Sequence, residues 1–162
     1  MKNPPLTSKI KCVLFNLDDL IQSIAAKDVL MTLSLPYAVV SSRPRASIEQ
    51  LLNTAGLLTF FTQDRIFSSP EQLPGSAFGS MIFFHAVRSM GFEPAECAVV
   101  DKSDIGLHLA MKEDFCVFRM NDGADSAELE NKGVLVFSKF ADLSDFIDLF
   151  NKEVDLEINP AS

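Results

Sequence analysis

Short apolar runs rich in β-branched and aromatic residues alternate with helical patterns along this chain, and that alternation constrains the fold more than any other feature. Strand patterns fall at 11–16, 37–41, 65–67, 97–101, 115–119 and 134–137, and helical patterns at about 21–34, 47–55, 78–90, 104–113 and 141–151. Strands that alternate with helices predict an α/β domain: a mostly parallel sheet of five or six strands with helices on both faces. Ser47 and Gln50 have the form of a capping box, and Gly56 and Gly91 stand where helices end. Ser103 or Asp104 is placed to cap the helix after Asp101. The Ser, Pro and Gly-rich segment 68–76 and the polar segment 121–133 read as loops. The expected organisation is an extension over 1–10, one core domain over 11–152 and a frayed tail over 153–162.

At 162 residues the chain is long enough for one domain with a sizeable core. Its net charge of −8 argues against a nucleic-acid partner, because phosphate backbones require a basic face. No apolar run approaches a membrane span, and residues 1–11 lack the apolar stretch of a signal peptide, so a cytoplasmic location is expected. Cys12, Cys97 and Cys116 all lie in strand-like runs; an odd number of core thiols fits a reducing compartment.

The chemistry is concentrated where the first strand ends, at Asn16-Leu17-Asp18-Asp19-Leu20. An apolar strand that runs into acidic residues puts carboxylates at the carboxyl edge of the sheet, where open α/β folds build their sites. The first position of the group is Asn16, whose amide is no carboxylate nucleophile and a poor ligand for a hard cation.

Four stretches in order resemble motifs of the haloacid dehalogenase superfamily, and most closely its β-phosphoglucomutase and sugar-phosphate phosphatase branch. Val13 to Ile21 matches the first motif, apolar-Phe-Asp-x-Asp-Gly, and Tyr37-Ala38-Val39-Val40-Ser41-Ser42 the second, a strand that ends in a phosphate-binding Ser or Thr. Phe83-Phe84-His85-Ala86 resembles the helix after the third motif's lysine, and Cys97 to Gly106 the fourth motif. The resemblance covers about residues 11–150 and implies a Rossmann-like core. It also implies roles: nucleophile at Asn16, general acid and base at Asp18, phosphate contacts at Ser41 and Ser42, the lysine at Ala77, and metal ligation at Asp18, Asp101 and Lys102. Three of the five principal positions are replaced, namely Asn16, Ala77 and Lys102. Only 19–36 lies between the first two motifs, where that branch inserts a large helical cap, so the cap is expected to be absent or minimal.

These replacements predict a catalytically inactive phosphatase homologue that acts by binding: a partner protein or a second copy over the uncapped site, or a phosphorylated ligand. No cofactor is expected. The alternative is an active, magnesium-dependent hydrolase that uses Asp18 or Asp19 as nucleophile. Lys102 is expected either to set its ammonium near Asp18 and Asp101 in place of the metal or to point to solvent. Arg43 and Arg45 are either phosphate contacts or solvated loop residues. His85 and His108 lack metal-ligand spacing and read as packing or surface residues, and most of the 14 phenylalanines read as core. Phe78, Phe83 and Phe84 flank the uncapped site and are candidates for an exposed apolar patch.

Overall fold

In a computed structural model, which describes residues 8–75, 79–121, 123 and 126–158, each apolar run forms a strand of one sheet. The strands are β1 (Cys12–Asn16), β2 (Tyr37–Ser41), β3 (Ile66–Ser68), β4 (Cys97–Val100), β5 (Cys116–Met120) and β6 (Val134–Phe137). All pairs are parallel and the order is β3-β2-β1-β4-β5-β6. The helices are α1 (Leu17–Ile21), α2 (Ala26–Thr32), α3 (Arg45–Thr54), α4 (Ser69–Gln72), α5 (Met81–Ser89), α6 (Asp104–Lys112), α7 (Ser126–Asn131) and α8 (Leu143–Ile158).

Strand side chains alternate between two cores, as the period of two requires. Val13, Phe15, Val39, Ala98, Val100 and Phe118 pack on the face covered by α1, α2, α3 and α8. Cys12, Leu14, Val40, Cys97, Val99 and Val117 pack on the opposite face, under α5 and α6. The three cysteines are buried and unpaired. Phe118 meets Phe146 and Phe150 edge-on, so α8 is held to the sheet by aromatic contacts. Among the described residues, no helix is long and apolar enough to cross a membrane.

The chain winds outward from β1 to β3 and then returns to place β4 on the other side of β1. That reversal leaves a crevice at the carboxyl ends of β1 and β4, the usual ligand position of such sheets.

Several boundaries differ from the sequence reading. The helical pattern over 21–34 breaks into α1 and α2, because 22–25 form a turn in which Ser23 Oγ accepts from the Ala25 amide at 3.2 Å. Helix α3 begins at Arg45 after Pro44, whose carbonyl accepts from the Ser47 and Ile48 amides at 3.0 and 3.1 Å. Pro44, with φ near −59°, is already set for helix entry, and Ser47 therefore sits inside the helix instead of capping it. Gly56 closes α3 at φ 74°, a left-handed conformation that glycine adopts without strain. The loop at 68–76 contains α4, the loop at 121–133 contains α7, and α8 continues through 153–158 where a frayed tail was expected.

Arg45 joins three of these pieces. Its guanidinium donates to Glu71 Oε2 at 2.7 Å, to the Gln63 carbonyl at 3.1 Å and to the Ile66 carbonyl at 2.6 Å. It is therefore occupied in structure and is not turned to a phosphate. Arg45→Ala is expected to lower stability by about 1–2 kcal/mol, since the part-buried Ile66 carbonyl loses a charge-assisted donor and the ties to Gln63 and Glu71 go with it. Chemical denaturation measures this; an unchanged midpoint would mean that water replaces the guanidinium at no loss.

Candidate functional site

Register sets the site. Phe15 pairs with Val100 and Asn16 pairs with Val40, so Asn16, Ser41 and Asp101 all emerge at the carboxyl edge. Asn16 is half-buried and Asp101 is 1% exposed. A carboxylate at that depth requires compensation. Asn16 Nδ2 donates to Asp101 Oδ2 at 3.0 Å, and the Ser103 amide donates to Asp101 Oδ1 at 2.6 Å. The other end of the Asn16 amide is also used: its Oδ1 accepts from the Asp18 backbone at 2.9 Å and caps α1.

Helix α6 comes very close to this pair. A Cβ built on Gly106 would lie 2.8 Å from the Asp101 carbonyl oxygen and 2.9 Å from Asp101 Cβ. Glycine at 106 is what lets the helix approach.

Asp18 and Asp19 are consecutive on α1 and so face different ways. Asp18 is exposed, and its Oδ1 lies 3.4 Å from Arg43 Nη2. Asp19 turns toward β4 and accepts from the Lys102 backbone at 2.8 Å. The Lys102 ammonium donates to Gln22 Oε1 at 3.2 Å. The ammonium thus sits on the exposed Gln22 amide at the end of α1 and makes no ion pair with Asp18 or Asp101 among the described residues. The backbone bond to Asp19 fixes where the side chain starts, and α1 supplies Gln22 within its reach. Ser41 Oγ accepts from the Arg43 amide at 3.0 Å and keeps its own proton for another acceptor, while Ser42 is exposed. Ala77 and Phe78 lie outside the described residues. Phe83 is buried, and Phe84 packs edge-on against Phe115 at 5.1 Å between ring centroids. His85 packs edge-on against Phe67 at 5.9 Å between ring centroids, and His108 Nε2 lies 3.8 Å from Glu113.

Burial pushes the Asp19 carboxyl up from 3.8 to about 6, opposed by the Lys102 backbone donor and aided by the nearby Asp101 charge. A group whose folded value is raised contributes fully below its unfolded value and loses that contribution as pH rises through the folded one. Stability linked to Asp19 thus declines between about pH 4 and about pH 6. Asp19→Asn keeps an acceptor for the Lys102 amide and is expected to remove this slope, raising the melting temperature by a few degrees at pH 7.5. Melts at pH 4.5 and 7.5 test it; a lower melting temperature for the variant at pH 7.5 would show that the charge is favourable.

No protein-family model matches this sequence, and no curated protein matches it. Solved structures do match in fold. A conserved haloacid dehalogenase-like protein of unknown function from Agrobacterium tumefaciens aligns over 82% of this chain and 64% of its own, with a TM-score of 0.66 and 23% identity. The fold is the haloacid dehalogenase core. A hydrolase of that family from Deinococcus radiodurans, solved with bound phosphate and sodium, aligns over 82% of this chain and 63% of its own, with a TM-score of 0.66 and 18% identity. The cobalt-bound deoxy-D-mannose-octulosonate 8-phosphate phosphatase from Haemophilus influenzae aligns over 91% and 92%, with a TM-score of 0.57 and 16% identity. The present chain thus spans less than two thirds of the first two and nearly all of the third. Between β1 and β2 it carries only α1 and α2.

A divalent metal, as the haloacid dehalogenase family implies, does not fit this donor set. Asp101 is already bonded at both oxygens, Asn16 presents its amide N–H to Asp101, and position 102 is a cation. Asp18 is paired with Arg43. Among the described residues, no group of three or more His, Cys, Asp or Glu side chains converges to hold a metal ion.

The sequence reading placed Asp18 and Asp101 in one cluster, whereas the fold joins Asp101 to Asn16 and turns Asp18 outward to Arg43. It missed the grouping of Asp19, Gln22 and Lys102. A second acid directly after Asp18, four residues past Phe15, was the only signal for it.

Proposed function

We propose that this chain is a haloacid dehalogenase-fold protein that does not hydrolyse phosphate esters and acts by binding at the carboxyl edge of its sheet. The observation that carries this reading is the amide of Asn16, with its nitrogen committed to Asp101 and its oxygen to the Asp18 backbone. In-line attack on phosphorus needs a nucleophile with a free lone pair and groups that offset phosphate charge, and an amide committed at both ends supplies no such nucleophile. At this edge the amide instead hydrogen-bonds a buried acid. The Ser41 hydroxyl and Arg43 favour a phosphorylated ligand held without turnover. The α1–α2 turn, where Ile24 is fully exposed, favours a protein partner or a second copy over the same edge. The three buried free thiols favour the cytoplasm.

The test is phosphate release with magnesium across a panel of phosphate monoesters, for the wild type, Asp18→Ala and the triple reversion Asn16→Asp, Ala77→Lys, Lys102→Asp. The wild type is expected to be silent. Turnover by the wild type that Asp18→Ala abolishes would overturn the proposal.

A further inference from the structure

A cleft of about 130 Å³ opens between the α1–α2 turn and the ends of β4 and β5. Val100, Met120 and Phe140 form its apolar floor, while Asp19, Ser23 and Lys102 stand at its rim. It lies across β1 from Ser41, on the side of β4, and no phosphate contact named above belongs to it. An apolar cavity of about 150 Å³ holds a benzene-sized body, so this cleft suits one short alkyl or ring side chain.

The rim decides which molecule. It presents one carboxylate and one ammonium. A ligand with a single charge finds one complement and one like charge on this rim, whereas a zwitterion offers each rim charge its complement. Hydrogen-bonding capacity agrees. Among the described residues, Asp19 accepts only at Oδ2, which leaves Oδ1 for an ammonium. Within the same described residues the Lys102 ammonium donates once, to Gln22, and the Ser23 hydroxyl accepts from Ala25 while its proton meets no acceptor.

We propose that this cleft binds a free α-amino acid with a small apolar side chain, its ammonium on Asp19, its carboxylate on Lys102 and Ser23, and its side chain on Val100, Met120 and Phe140. The inference deepens the reading of the chain as a binding protein and rests on it. Its test releases no phosphate, so the two fail separately: turnover overturns the first, and absence of amino-acid binding to a silent enzyme overturns only the second.

The probe is L-leucine, followed by amide and methyl NMR shifts of the full chain. Two analogues keep the branched alkyl body: 3-methylbutylamine, without the carboxylate, and 4-methylpentanoate, without the ammonium. Leucine is expected to shift Val100, Met120 and Lys102 resonances saturably, with a site of millimolar or better affinity mostly filled at about 10 mM. Each analogue is expected to bind about tenfold more weakly or worse, the equivalent of one lost ionic contact. Asp19→Asn and Lys102→Gln, both shown to be folded by their melts, are expected to weaken leucine by a similar factor. Ser23→Leu, which fills the rim, is expected to abolish the shifts. Absence of saturable shifts, shifts that map elsewhere, or analogues that bind as well as leucine would overturn the proposal.

Discussion

Asn16→Asp is expected to destabilise the protein by about 3 kcal/mol in metal-free buffer at pH 7.5, because it removes a donor from a buried acid and adds a like charge. Asn16 Nδ2 and Asp101 Oδ2 are 3.0 Å apart, and Asp101 is 1% exposed. Two carboxylates at such a separation repel by about 5 kcal/mol at an effective dielectric near 20. Proton uptake by the pair limits the loss, since one of two crowded acids stays protonated well above its usual range. At about 2–4 °C per kcal/mol for a chain of this size, the melting temperature should fall by roughly 6–12 °C. The deficit should shrink toward pH 5, where the pair holds its shared proton, and millimolar magnesium should recover part of it in the variant alone. Asn16→Ala loses the hydrogen bonds without adding charge and is expected to fall between variant and wild type. Thermal melts with and without chelator measure all of this. A variant as stable as the wild type without metal would mean that the amide at 16 does not stand in for a cation.

Gly106→Ala carries the next largest effect. A methyl group in a helix normally gains about 0.5–1 kcal/mol over glycine. Here it would meet three atoms of Asp101: the carbonyl oxygen at 2.8 Å, Cβ at 2.9 Å and Cγ at 3.1 Å. None of these can swing aside as a flexible side-chain end does, so α6 must back away. Overpacking of this kind costs roughly 1–3 kcal/mol, enough to exceed the helical gain. The displacement also pulls Asp101 from Asn16, and the Asn16 side-chain amide resonance should move with it. A raised melting temperature with that resonance unmoved would show that α6 is held more loosely than its contacts indicate.

The sheet was legible because each strand carries a short, mostly apolar run, and the inner strands β1, β2 and β4 are almost wholly buried, the form in which parallel sheets write themselves into sequence. Asn16, Ser41 and Asp101 were legible for the same reason, since each ends or follows one of those runs. The destination of a long side chain was not. Lys102 follows Asp101 directly, yet its ammonium goes to Gln22, because a backbone bond from residue 102 to Asp19, 83 positions earlier, sets its direction. Arg45 read as a phosphate contact or a loop cation and instead ties α3 to β3 through the Ile66 carbonyl and to α4 through the Glu71 carboxylate, contacts that no pattern announces. Short helices escaped as well. In α4 and α7, tertiary contacts decide the conformation, and propensity over four to six residues is too weak to declare it.

Cys12, Cys97 and Cys116 sit in β1, β4 and β5, at the centre of the sheet, with exposures of 0%, 0% and 7%. Burial pushes the Cys116 thiol up to about 11, so little thiolate exists at neutral pH even where solvent touches it. An alkylating reagent can therefore consume these sulfurs only from molecules whose central strands have come apart. The chain carries its own gauge of unfolding: alkylation in native buffer, followed by intact mass, should move molecules from zero to three adducts without stable one-adduct species, at a rate set by the fraction of molecules whose sheet is open.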